Sequence, residues 1–257
     1  MYTIETQEEI KLGYLTARHE LRDLQRDLMT GWHQRLQAPR AKEYLAQGVC
    51  RRIGLLRRCM HNVFEICPVD RVDLFSDDER VDLEINIQAF VVNVHGLLDN
   101  LAWVTVFEKA PELEENRNQI GLFRGSVRPH LPEAAKRYLA EEKILDWFKK
   151  YATNYRDALV HRIPLYVPPC GMTNAEAAKY AELEARIWET MESRDLDGLQ
   201  ALQDEQAALG SILPVFRHSF GDKDAAGTMA FHAQLVADVN TILAIVRVVV
   251  PAPAPSS

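Results

Sequence analysis

The sequence predicts an all-α protein, a multi-helix bundle built around one sizeable core, on three observations. Apolar residues recur at three- and four-residue steps over long stretches, as the buried face of a helix requires. Gly and Pro number only 12 each in 257 residues, and Pro251, Pro253 and Pro255 crowd the C-terminal end, so the interior has few breaks. Hydrophobic residues make up 47% of the chain, enough for a substantial core.

From Gln7 to Gln37, Ile10, Tyr14, Leu21, Leu24, Leu28 and Trp32 repeat at helical spacing with charges between them, which predicts a long amphipathic helix. Pro39 restarts the chain, and Leu45, Val49, Ile53, Leu56, Met60 and Val63 predict a second helix over Ala41–Ile66 that Pro68 ends. Two helices with a short connection form an antiparallel pair. The acidic stretch from Val69 to Arg80 reads as irregular. Val81–Lys109 is the most apolar long segment and predicts a central helix, buried around most of its circumference.

Pro111, Gly121, Gly125, Pro129 and Pro132 break the next stretch into loop, with at most a short helix. Helix resumes from about Pro132 to His161, in one piece or two, and Pro164 stops it. Pro164, Pro168, Pro169 and Gly171 predict a rigid loop. Thr173 or Asn174 then caps a helix with Ala175, Ala178, Ala181, Leu183, Ile187 and Met191 as its apolar stripe. Further helices are expected over Asp195 to about Leu213 and Thr228–Val250, ahead of a disordered Pro/Ala/Ser tail over 251–257. Residues 1–250 read as a single domain.

A net charge of -7 excludes a general polyanion binder, so a nucleic-acid surface has to be a local patch. Cys50, Cys59, Cys67 and Cys170 form no C-x-x-C pair and read as reduced, packed thiols. The first residues carry Glu5, Glu8, Glu9 and Lys11 with no apolar run, so a cytoplasmic location is expected. Ile242–Val250, interrupted by Arg247, is too short to span a bilayer and reads as a core helix, and no membrane association is expected.

Dinucleotide-binding, phosphate-loop, zinc-protease and serine-hydrolase motifs are all missing, and the eight histidines are scattered, so neither a cofactor nor a metal is expected. What remains is Arg156-Asp157-Ala158-Leu159-Val160-His161 at a helix end, followed at once by the proline-bounded loop. The segment resembles the motif of the HEPN superfamily, and the metal-free RNA cleavage which that resemblance implies suits an Arg and a His. An imidazole with a pKa near ~6.5 moves a proton to or from a ribose 2'-hydroxyl or a leaving 5'-oxygen, and a guanidinium neutralises the phosphorane. Positions five apart on a helix point roughly 140° apart, so convergence requires the helix to end near His161 or a second chain to contribute. A purely structural reading also fits: His161 and Arg162 beside the terminal carbonyls, and Arg156 paired to Asp157.

This segment resembles the Arg-x-x-x-x-His motif of the HEPN superfamily, in which a polar residue, here Asp157, commonly follows the Arg. The resemblance implies a helical core over approximately 81–165, a homodimer that brings two motifs together across a cleft, and metal-independent RNA cleavage or RNA binding. It also implies a toxin or phage-defence effector, with an antitoxin or other protein as partner. Arg156, His161 and Asp157 are then the catalytic set.

Two further features flank the motif. Asn86, Asn93 and Asn100 recur at seven-residue steps in the most apolar helix, with His95 and Asp99 as an i,i+4 pair beside them. These polar groups need partners. They line the cleft of Arg156, together with Tyr155 and Arg162 as binding residues, or they form an amide ladder that fixes helix register. Arg51, Arg52, Arg57 and Arg58 make a basic run that either holds a phosphate backbone or answers the acidic stretch Asp70–Glu84. The alternative to an RNA enzyme is a non-catalytic bundle that binds a protein partner or a small ligand in a polar groove.

Overall fold

A computed structural model describes residues 2–193, 196–219 and 226–250. It is an all-α multi-helix bundle with one small hairpin. Helix α1 (Ile4–Asp27), capped by the Thr3 side chain, continues through a π-helical turn (Leu28–Trp32) into the short α2 (His33–Arg35). Pro39 begins α3 (Pro39–Glu43), which runs through a second π segment (Tyr44–Cys50) into α4 (Arg51–Ile66). The antiparallel pair is thus formed as expected, interrupted twice by π turns that a 3.6-residue periodicity does not reveal.

Helix α5 (Asp77–Lys109) is the central element and begins earlier than the apolar pattern alone indicates. Ser76 and Glu79 form a capping box: Ser76 Oγ accepts from Glu79 N at 3.2 Å, and Glu79 Oε2 accepts from Ser76 N at 2.9 Å. The same Glu79 receives both Nη atoms of Arg71 at 2.8 Å, and those bonds hold its carboxyl down to about 2. Four carboxylates of the acidic stretch are paired, Glu79 by Arg71, Asp77 and Glu84 by Arg80, and Asp70 by Lys11. None of these pairs involves the basic run of α4.

Two 3-10 segments, Pro111–Gln119 and Arg128–His130, occupy the broken stretch. Helical pieces follow: α6 (Glu133–Tyr138), α7 (Glu142–Trp147), a third π segment (Phe148–Thr153) and α8 (Asn154–His161). Helices α9 (Asn174–Ser193) and α10 (Leu196–Ala207) pack mainly on each other. The stripe predicted for α9 is largely open to solvent: Ala175, Ala178, Ala181 and Met191 are exposed, and of the six only Leu183 is buried. Residue Asp195 and the tail 251–257 lie outside the described residues.

The last expected helix is corrected at its start. Val215–Ser219 (β1) and Ala226–Ala230 (β2) form an antiparallel hairpin, and helix α11 (Phe231–Val249) begins only after it. Tyr166 and Gly171 of the proline-bounded loop bridge to Arg217 and Ser211, which fixes that loop against the hairpin.

The core lies where α4 and α11 pack on α5 and α1 packs across α4 and α11. The apolar run at Ile242–Val250 belongs to a 19-residue helix, so shortness does not distinguish it from a membrane span. By length and composition α5 and α11 both could cross a bilayer, and in this structure their apolar windows are 72% and 50% buried within the bundle.

Candidate functional site

The helical run over 142–161 carries the Arg-Asp-Ala-Leu-Val-His segment, and its first half is fastened to α11. Trp147 Nε1 donates to Asp238 Oδ1 at 2.8 Å, and Gln234 Nε2 donates to the same oxygen at 2.7 Å. Burial pushes the Asp238 carboxyl up to about 7, against the pull of those two hydrogen bonds. The second half runs beside α5. Arg156 meets His95, Gln88 Nε2 donates to the Leu165 carbonyl at 3.1 Å, and Val167 N donates to Glu84 Oε1 at 2.9 Å. Residues 156–167 therefore descend along α5 from position 95 to position 84.

At the top of this track the polar side chains converge. Arg156 Nη2 is 3.5 Å from His95 Nε2, and Arg156 Nη1 is 3.1 Å from Asp157 Oδ1. His95 Nδ1 in turn lies 3.2 Å from Asp99 Oδ2. The carboxylate selects the tautomer with its proton on Nδ1, which leaves the Nε2 lone pair facing the guanidinium. His95 also stacks on Phe148, ring centroids 6.0 Å apart. Arg156 Nε is buried and has no hydrogen-bond partner among the described residues. A buried donor of a charged group left unsatisfied is costly in a resting protein and useful in one that waits for a ligand.

Helix α8 ends at His161, where Arg162 N closes the last turn on the Ala158 carbonyl at 3.1 Å. His161 is exposed, and its imidazole has no hydrogen bond or ion pair among the described residues. Val160 and Ile163, close to it in sequence, are exposed apolar residues, as are Val81, Ile85 and Val92 on α5. On α5 these stand at steps of four and seven, the same face as Asp99.

No protein-family model, no curated protein and no solved structure matches this chain.

The other expected site residues separate into distinct places. Asn93 and Asn100 do not join His95, because the two residues from Asn93 to His95 turn a helix by roughly 200°. Both face α4, where Asn93 Oδ1 and Asn100 Oδ1 accept from Arg52 Nη1 and Nε, each at 2.9 Å. Asn86 Oδ1 accepts from Asn62 Nδ2 at 2.8 Å on the same seam. The stripe is thus a ladder between α4 and α5. Tyr155 is fully buried, edge-on to Tyr151 and Phe216, so it faces the core rather than a cleft. Arg162 is half-buried beyond the helix end.

Arg52, expected only as one member of the basic run, is the residue that ties the two amides together. Its signal was present in the glycines: a Cβ at Gly96 would come within 2.5 Å of Arg52 Cζ, and one at Gly48 within 2.8 Å of Asn100 Cγ. Glycine inside a helix costs about 1 kcal/mol against alanine and marks a close approach. Among the described residues no group of three or more His, Cys, Asp or Glu is placed to hold a metal ion.

Proposed function

We propose that the chain is an HEPN-like, metal-independent RNA-cleaving protein that works as a homodimer through Arg156 and His161. The observation that carries this reading is the pairing, on one short helix, of a guanidinium whose buried Nε is unbonded with a free, exposed imidazole at the helix end. Asp157 and the His95–Asp99 pair position the guanidinium from two sides. In the reaction a ribose O2' attacks phosphorus and gives its proton to His161. Arg156 neutralises the phosphorane. The P–O5' bond breaks as the leaving oxygen takes a proton from the imidazolium of a second copy, leaving a 2',3'-cyclic phosphate and a 5'-hydroxyl. The exposed apolar residues Val81, Ile85, Val92, Val160 and Ile163 are where that second copy would sit.

The test is incubation of a mixed cellular RNA pool, in EDTA, with the protein and with Arg156→Ala and His161→Ala variants of verified fold. Cleavage by the parent, with loss in both variants and 2',3'-cyclic ends on the products, is expected. Absence of cleavage by the parent, or full cleavage by His161→Ala, rejects the reading.

A further inference from the structure

We propose that the outer surface of α4, together with the facing side of α1, binds the sugar–phosphate backbone of a single-stranded nucleic acid at a place separate from the Arg156–His161 site. Two grooves meet there, of about 740 and 460 Å³, and Gly54 lines both. Arg51 and Arg52 line the first groove with Gln47, Asn93 and Asn100. Arg18, Arg22, Arg57 and Arg58 line the second with His19 and His61. Among the described residues, Glu43 in the first groove is the single carboxylate in either lining.

These cations are not spoken for. Arg51, Arg57 and Arg58 have no ion pair among the described residues, and Asp70, Asp77, Glu79 and Glu84 of the acidic stretch are paired to other cations. Arg18 donates to the Tyr14 hydroxyl at 3.2 Å, and Arg22 shares Asp23, at 3.8 Å, with His19 and Arg26. Arg52 is the built element. Two neutral amide oxygens fix its guanidinium in the space left by Gly96, with Asn100 itself seated against Gly48, so it is oriented without being neutralised. A guanidinium held by amides keeps its full charge and spare N–H donors for an anion, the arrangement that favours phosphate.

His61 sits among these cations. Its imidazole contacts the Tyr14 hydroxyl at 3.0 Å and lies 3.7 Å from Glu65, yet its pKa is lowered, by burial first and then by Arg18 and Arg58. An acidic protein as a whole has concentrated positive potential in one place. The shape favours a strand over a single phosphate. At 1.5 Å per residue the arginines from 51 to 58 span about 10 Å along α4, and a second row on α1 runs beside them. The exposed Leu15 and Leu55 on the same linings give bases or riboses an apolar surface.

The experiment is fluorescence anisotropy of the full chain, in EDTA, with a labelled single-stranded DNA of about 15 nucleotides, a length matched to such sites. DNA lacks the 2'-hydroxyl, so binding is read apart from cleavage and the two proposals fail separately. Binding is expected to weaken with salt at a slope near -3, about 0.7 for each of Arg51, Arg52, Arg57 and Arg58. Arg51→Ala/Arg57→Ala/Arg58→Ala is expected to raise Kd at least ~10-fold and cut the slope by about 2, with unchanged circular dichroism. In the parent the strand should raise the NMR-measured pKa of His61 and leave buried His232 unmoved. No strand binding, equal binding by the triple variant, or displacement by poly-glutamate at equal charge overturns the proposal. So does binding to phosphatidylserine-containing vesicles, but not phosphatidylcholine vesicles, with none to the strand.

Discussion

Replacing Asp238 by Asn tests whether a buried, uncharged acid fastens the helix that carries Arg156. Asp238 is 5% exposed, its Oδ1 accepts from Trp147 and Gln234, and burial raises its carboxyl to about 7 from 3.8. The unfolded carboxyl ionises near pH 4 and the folded one near pH 7. Between those values the folded chain holds the extra proton, so this group's contribution to stability falls as pH rises and levels off above 7. At 1.36 kcal/mol per unit the penalty is about 1.5 kcal/mol at pH 5 and about 4 kcal/mol at pH 7.5. Asparagine keeps the acceptor oxygen and has no ionisation to suppress.

Urea unfolding of both proteins from pH 4.5 to 7.5 should therefore show Asp238→Asn gaining on the parent by about 2–3 kcal/mol across the range. His232 sharpens the expectation. Burial lowers its imidazole to about 4, so its contribution rises with pH between about 4 and 6.5 and opposes that of Asp238. The parent should be nearly flat over that window and the variant should climb. A difference between the two proteins that stays constant with pH, or shrinks as pH rises, would refute the assignment of a neutral Asp238.

Gly96→Ala should displace Arg52 from Asn93 and Asn100 at little net stability, since the helix gains about 1 kcal/mol while two hydrogen bonds worth about 1 kcal/mol each are lost. Strand binding by anisotropy should fall while the unfolding midpoint moves by only a few degrees. Ser76→Ala removes the capping box of α5 and should cost about 1 kcal/mol in chemical denaturation. Burial pushes Cys50 up to about 11 and Cys67 up to about 12, and raises Cys59. Thiol titration of the native protein at pH 8 should label Cys170 quickly and the other three only after denaturation.

Long amphipathic helices were legible because burial is written in their periodicity: Ala17, Leu21 and Leu24 on α1, and Ile53, Leu56, Met60 and Val63 on α4, all reach the core. The hairpin was not. Ala226-Gly227-Thr228-Met229-Ala230 has weak strand propensity and owes its conformation to pairing with Val215–Ser219, a tertiary effect. The capping box at Ser76-Asp77-Asp78-Glu79 was readable and places the start of α5 better than the first apolar residue does. At the candidate site, His95, Asp99, Arg156 and Asp157 are linked by successive contacts, Asp99 to His95, His95 to Arg156 and Arg156 to Asp157. Asn93 and Asn100 do not join them, because a seven-residue repeat says which residues share a face and nothing about which neighbour that face meets. Tyr155 went inward for a similar reason: an aromatic beside a polar motif carries no sign of its direction until the phase of the helix is known.

That phase is set twice by a π turn. Tyr44–Cys50 comes immediately before Arg51 and Arg52, and Phe148–Thr153 ends three residues before Arg156. A π turn takes up one residue more than an α turn, so everything downstream is rotated by about 100° relative to an uninterrupted helix. Each arginine is thereby aimed by a residue count, much as a vernier offsets one scale against another. Trp147 stays locked to α11 while Arg156 points at His95 only because of the added residue between them. Loss of a single residue within 148–153 would leave composition, charge and the Trp147 anchor essentially as they are, and would swing the guanidinium away from the imidazole. In a lineage of such chains, one-residue insertions and deletions upstream of these arginines would re-aim the two guanidinium groups more abruptly than substitutions at the arginines' own neighbours.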